Sequence, residues 1–134
     1  MATAVPMDTK VRYARAKDDA AIAYRVLSDG PIDLVFNTGI ISHVEVLLDE
    51  PGVARMLERI GEFTRLIIMD RRGTGLSDVG TGLVSMDEEV GDLMAVLDAV
   101  GSEHAALMAY TSSGPLFIRA ATLCPERIRA LVLY

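Results

Sequence analysis

The sequence has no tryptophan, one cysteine and two histidines, and these shortages limit the chemistry open to it. The single cysteine, Cys124, excludes a disulfide within the chain, and together with His43 and His104 it gives no metal-ligand spacing. Cys124 precedes Pro125 at what the pattern predicts to be a buried helix end, so we interpret it as an inert core thiol rather than a nucleophile. Neither a metal nor another cofactor is expected.

Basic residues are also scarce, because thirteen Lys and Arg stand against nineteen Asp and Glu, for a net charge of -6. The basic residues form no stripe, so we do not expect a nucleic acid partner. No apolar run approaches the roughly 18 residues of a membrane span. Residues 1–10 lack the apolar core of a signal peptide, so a cytoplasmic location is expected.

Aliphatic residues are plentiful: half of the 134 residues are hydrophobic and only 5% are aromatic. This composition is typical of one globular domain, 1–134. Two alternating segments, residues 11–15 and 21–27, flank the polar turn Lys17-Asp18-Asp19 and predict an antiparallel hairpin.

Short apolar runs and helix-period segments alternate after the hairpin. The runs predict strands at residues 34–36, 66–69, 105–109 and 130–134. The periodic segments predict helices at residues 51–61, 86–100 and 116–123, the second of them opened by the capping-box pattern of Ser85 and Glu88. Such alternation predicts an α/β domain with a mostly parallel sheet and flanking helices.

The most informative segment joins the third of these strands to the last helix, as a nucleophile elbow does. In an elbow the central residue has a strained backbone, and the residues two before and two after it must be small. With Thr111 in the centre these residues are Ala109 and Ser113, whereas a central Ser112 would place the bulky Tyr110 at the closest approach. The pattern therefore favours Thr111 as the elbow residue.

Three segments in this order resemble the N-terminal half of an α/β-hydrolase: Asn37-Thr38-Gly39-Ile40, residues 70–78, and the elbow followed by Gly114-Pro115. The resemblance runs from about Lys10 to Tyr134, and it is closest to the hydrolase-like domains found ahead of class III nucleotide cyclase domains. It implies an incomplete α/β-hydrolase-like fold, truncated after the strand that follows the elbow helix. It also implies an ester or amide hydrolase with a small ester-like ligand.

The resemblance implies roles for individual residues. Thr111 takes the nucleophile position, and the backbone N–H groups of Ile40 and Ser112 take the positions of oxyanion donors, which stabilise the charge of a tetrahedral intermediate. Gly39, His43 and Tyr110 are candidates for the substrate pocket.

Two of these pocket candidates have a structural alternative. Gly39 is equally typical of an ordinary turn after a strand, and His43 is equally typical of the first turn of a helix capped by Ser42. Asp70 and Arg71 either brace the site or simply begin a glycine-rich turn. His104 is expected in solvent at a strand entrance.

The chain departs from the hydrolase pattern in two ways. Serine is expected where Thr111 stands, and a β-branched residue tolerates positive φ poorly. The acid and histidine of a hydrolase triad follow the elbow in sequence, whereas His43 and His104 both precede it. We therefore expect weak or no hydrolysis unless another chain supplies these groups. The alternatives are a ligand- or partner-binding regulatory lobe and a truncated product without retained activity.

The last predicted strand, residues 130–134, is apolar throughout and would lie at an edge of the sheet. An exposed apolar edge offers unpaired backbone groups to another strand. We expect self-association, or the binding of a complementing chain, through this edge.

Overall fold

A computed structural model describes residues 10–134, and within this range one six-stranded sheet carries helices on both faces. The strands are β1 (Arg12–Arg15), β2 (Ala21–Val26), β3 (Ile32–Asn37), β4 (Thr64–Met69), β5 (Ala105–Ala109) and β6 (Ile128–Leu133). The helices are α1 (Pro51–Gly61), α2 (Met86–Ala99) and α3 (Gly114–Leu123), with short 3-10 turns at Leu47–Asp49 and Thr111–Ser113.

The strands lie in the order β1-β2-β4-β3-β5-β6. The pairs β1/β2 and β2/β4 are antiparallel, whereas β4/β3, β3/β5 and β5/β6 are parallel. The predicted hairpin followed by a mostly parallel sheet is thus confirmed. The strands β1 and β2 form the antiparallel part of the sheet. The other four strands are parallel, so their carboxyl ends lie at the same edge of the sheet.

Several strands begin earlier than the apolar runs predict. The prediction of residues 34–36 for β3 was too short, because Ile32 already pairs with Thr64 of β4. The final strand is Ile128–Leu133 rather than residues 130–134. A strand ladder needs only backbone groups, so it extends past the apolar residues that are buried on both faces.

The core has two layers because successive side chains of a strand point to opposite faces of the sheet. The layer beneath α2 and α3 includes Val35, Ile67, Leu93, Leu107 and Phe117. The layer beneath α1 includes Phe36, Leu57, Leu66 and Ile68. Strands β3 and β4 contribute to both layers, which explains their continuous apolar runs.

The helix boundaries follow local capping chemistry. The predicted capping box is present: Glu88 N–H donates to Ser85 Oγ, and Ser85 N–H donates to the Glu88 carboxylate. Cys124 follows the last residue of α3 and is half-buried, packed against the core, at the helix end that the sequence predicted to be buried. None of the described helices is long and apolar enough to cross a membrane.

An ion-pair network anchors the loop after β4 to the hairpin turn and to α2. Arg72 donates through Nε and Nη2 to both carboxylate oxygens of Asp92, and its side chain is 6% exposed against 3% for Asp92. Arg72 also binds both oxygens of Asp18. These hydrogen bonds hold the pKa of Asp18 down to about 2, from an ordinary value of 3.8.

We expect this network to make the fold sensitive to acid. Because the folded-state pKa of Asp18 lies below its unfolded value, its stabilisation is complete above about pH 4 and is lost as the pH falls through about 2. Asp18→Asn should therefore weaken the pH dependence of the free energy of unfolding in this interval. Urea denaturation between pH 2 and 5 measures it.

Asp19→Asn is the matched control, because Asp19 lies in the same turn and its carboxylate makes an exposed 4.0 Å ion pair with Arg15. An Asp18→Asn protein whose stability falls with acid as steeply as that of the parent would contradict the assignment.

Candidate active site

The loops that follow β3 and β5 lie side by side because these two strands are parallel neighbours. At the end of β5 the backbone bends at Thr111, which has a φ of 55°. Ala109 and Ser113, on either side of the bend, are fully buried where β5 and α3 approach each other. The strained position is therefore that of Thr111 and not of Ser112.

Hydroxyl groups of the elbow join it to the loop after β3. Thr111 Oγ1 donates to the carbonyl of Thr38 at 3.3 Å. Ser113 Oγ donates to the carbonyl of Asn37 at 2.8 Å, and Tyr110 N–H donates to the same carbonyl. These contacts hold the two loops together and leave Thr111 exposed at the surface.

The two residues predicted to supply oxyanion donors, Ile40 and Ser112, are in contact. Ile40 N–H donates to Ser112 Oγ at 3.1 Å. Between the loops, Gly39 has a φ of 85°, and a Cβ on this residue would collide with the Ser112 hydroxyl. Glycine is required here by the close approach of the elbow, and not by an ordinary turn alone.

Asp70 is fully buried just after β4, and its carboxylate accepts hydrogen bonds from three residues in two loops. Its carboxylate accepts from Ser42 Oγ at 2.7 Å, from Val44 N–H at 3.1 Å and from Leu76 N–H at 2.9 Å. Buried carboxylates need such partners. Asp70 thus braces the loop between β3 and α1 against the loop after β4.

Arg71 connects the elbow to α2. Its Nε and Nη2 donate to the two carboxylate oxygens of Glu89, both at 2.9 Å, and its Nη1 donates to the carbonyl of Ser112 at 3.2 Å. Glu89 was not predicted to contact the site, because an acidic residue at a helix start commonly interacts with the helix dipole or caps the helix. Nothing in its local pattern indicates a partner 18 positions away.

His43 does not lie in a capped helix turn, so that interpretation was wrong. Ser42 Oγ donates to Asp70 instead of capping a helix, and the His43 carbonyl accepts the N–H groups of Val46 and Leu47. The imidazole Nδ1 is buried without a hydrogen-bond partner among residues 10–134. His104 is exposed just before β5.

Tyr110 is exposed, and its ring stacks on Tyr134 with centroids 5.5 Å apart. The two main chains are also joined, since Tyr134 N–H donates to Ala109 and Thr111 N–H donates to the Tyr134 carbonyl. The pocket roles predicted for Tyr110, Gly39 and His43 stay predictions. No group of His, Cys, Asp and Glu in the described part of the chain is arranged to hold a metal ion.

The strand order, the antiparallel start and the positive-φ bend after β5 together define the α/β-hydrolase fold. Solved structures agree with this assignment. A hydrolase from Pseudomonas aeruginosa superposes with a TM-score of 0.80 at 24% identity, and the esterase RhEst1 from Rhodococcus sp. with 0.79 at 26%. An epoxide hydrolase from Vigna radiata gives 0.78 at 18% identity. The chain therefore has the fold of the α/β-hydrolases.

These three similarities cover 92% of this chain but 45%, 44% and 37% of the respective structures. The chain is also 32% identical to the carbamate hydrolase candidate RutD of Azorhizobium caulinodans, over 58% of this chain and 29% of that protein. No family model matches the chain. The chain therefore spans less than half the length of these relatives, and the likeness to domains ahead of nucleotide cyclases stays a prediction.

Gly39→Ala should lower the free energy of unfolding by about 2–3 kcal/mol. Positive φ costs about 1–2 kcal/mol, and the new methyl must displace the Ser112 hydroxyl from Ile40 N–H, which costs about 1 kcal/mol more. In a Ser112→Ala background the second cost disappears. Urea denaturation of the two single variants and the double variant measures this coupling.

Gly82→Ala is the control, because Gly82 has a φ of 82° with nothing near its Cβ position. It should show the backbone cost alone. Equal costs for Gly39→Ala in the parent and in Ser112→Ala would contradict the close approach.

Proposed function

We propose that this chain carries the nucleophile and oxyanion-donor half of an ester or amide hydrolase site, and that it hydrolyses esters only weakly by itself. The observation that carries the proposal is the positive-φ bend at the exposed residue Thr111, followed directly by Ser112, whose Oγ accepts from Ile40 N–H. Esterase and hydrolase relatives of the same fold support the reaction class.

The weakness follows from the surroundings of the Thr111 hydroxyl. It donates to the Thr38 carbonyl, which cannot accept its proton in a reaction. Within residues 10–134, neither histidine nor any carboxylate hydrogen bonds to it. A hydroxyl nucleophile without an adjacent base loses most of its reactivity, although fixed oxyanion donors retain a residual rate.

The methyl group of Thr111 is a second obstacle. A β-branched residue at a φ of 55° is strained, and its extra methyl occupies space that an acyl carbon must approach. Serine at this position keeps the hydroxyl and removes the methyl.

We expect the purified chain to hydrolyse p-nitrophenyl acetate slowly. Thr111→Ala should abolish the protein-dependent rate, and Thr111→Ser should raise it roughly tenfold, which is about 1.4 kcal/mol of activation free energy. Release of p-nitrophenol measures each rate.

Thr122→Ala is the matched control, since Thr122 is exposed on α3 and its hydroxyl donates only to Ile118. It should leave the rate unchanged. Activity that survives Thr111→Ala, or its absence in the parent and in Thr111→Ser alike, would refute the catalytic proposal.

A second candidate function is a ligand- or partner-binding lobe. Its support is exposed apolar surface: Ile40 and Ile41 beside the elbow are 70% and 85% exposed, and Val132 and Leu133 on the edge strand β6 are also exposed. An open apolar edge strand favours pairing with another chain. We propose that β6 mediates self-association or binds a complementing chain.

Self-association should therefore depend on β6. The parent should increase in mass with concentration, and Val132→Lys should shift it toward the monomer because a charge on the edge opposes pairing. Size-exclusion chromatography with light scattering measures the mass.

Val79→Lys makes the same change at an exposed loop position and should behave as the parent does. A parent protein that remains monomeric at every concentration would rule out self-association. The binding of a complementing chain would then be the remaining proposal for β6.

A further inference from the structure

The hydroxyl of Ser112 accepts the hydrogen bond of Ile40 N–H, which is the donor that a substrate would need in the proposed reaction. We infer that Ser112 acts as an internal competitor, whose side chain must leave Ile40 N–H before the carbonyl oxygen of an ester can bind there. This inference rests on the proposed function of the site, because it concerns the oxyanion donor of that reaction.

The contact itself is specific. Ile40 N–H donates to Ser112 Oγ at 3.1 Å, across a gap of 72 positions in sequence. The space for the hydroxyl exists because Gly39 has no Cβ, since a side chain there would meet this oxygen. An N–H that already donates to a hydroxyl offers less to a developing oxyanion, because the internal bond must first be broken.

The backbone of Ser112 is held in place, whereas the residue is exposed to solvent and its hydroxyl bonds to Ile40 N–H. Arg71 Nη1 donates to the Ser112 carbonyl, and the same guanidinium is fixed by both oxygens of Glu89. Both charged side chains are mostly buried. Rotation about the Cα–Cβ bond of Ser112 therefore opens the donor without moving the elbow, since staggered rotamers are separate wells.

The size of the effect is limited by one exposed hydrogen bond. Ser112 and Ile40 are both solvent-accessible, so water replaces the lost partner when the side chain turns. Such a bond corresponds to about a three- to tenfold change in an equilibrium or a rate. Ser112 is thus a residue that attenuates the site and does not abolish it.

Ser112→Ala should raise kcat/KM for p-nitrophenyl acetate about three- to tenfold, because it frees Ile40 N–H and keeps the Ser112 backbone. Ser112→Thr retains the hydroxyl and should show no such rise. A loss of elbow structure would lower the rate, so an increase distinguishes competition from a structural role. An unchanged or lower rate in Ser112→Ala, with a measurable parent rate, would overturn the inference and leave the proposed function intact.

Amide hydrogen exchange at Ile40, measured by NMR, tests the inference without any activity. Ser112→Ala should accelerate this exchange about tenfold, whereas Thr111→Ala should not, because Thr111 Oγ1 contacts Thr38 instead. Unchanged exchange in Ser112→Ala would overturn the inference. Faster exchange in a series of variants that all lack hydrolysis would support the internal contact and refute the catalytic proposal.

Discussion

The parallel pairing of β3 with β5 is the constraint on which the candidate site depends. It places the ends of two strands that are far apart in sequence at one edge of the sheet, so that residues 37–40 and the elbow form one surface. The contacts between the elbow and residues 37–40 follow from this neighbourhood, including the bond between Ile40 and Ser112. The pairing itself is made by backbone groups beneath a buried apolar layer.

The loops around this edge of the sheet are held in place by hydrogen bonds to charged side chains. Asp70 fixes the loop before α1, Arg71 joins the elbow to α2, and Arg72 joins the loop after β4 to the hairpin turn. Three consecutive residues thus bind three different segments: the loop before α1, the elbow and the hairpin turn. Each makes charge-assisted hydrogen bonds in a mostly buried setting, where such bonds are strong and an unpaired partner is costly.

Local patterns were sufficient for much of the fold and for the centre of the site. The helix α1 and the strand β5 have their predicted bounds, since caps and apolar periodicity act over a few residues. Small neighbours likewise indicated Thr111 as the strained residue. Contacts across long separations could not be predicted this way. Neither Ser112 Oγ on Ile40 N–H nor Glu89 on Arg71 leaves a local signal, because each depends on how the sheet brings distant loops together.

The stacked rings of Tyr110 and Tyr134 connect the elbow to the outermost strand of the sheet. A strand that docks on β6 would therefore change the surroundings of a ring one residue from the bend. The chain has no tryptophan and only four tyrosines, so their emission is not masked by a stronger fluorophore. The intrinsic ultraviolet fluorescence of the protein is thus a built-in optical probe of whether its sheet edge is occupied.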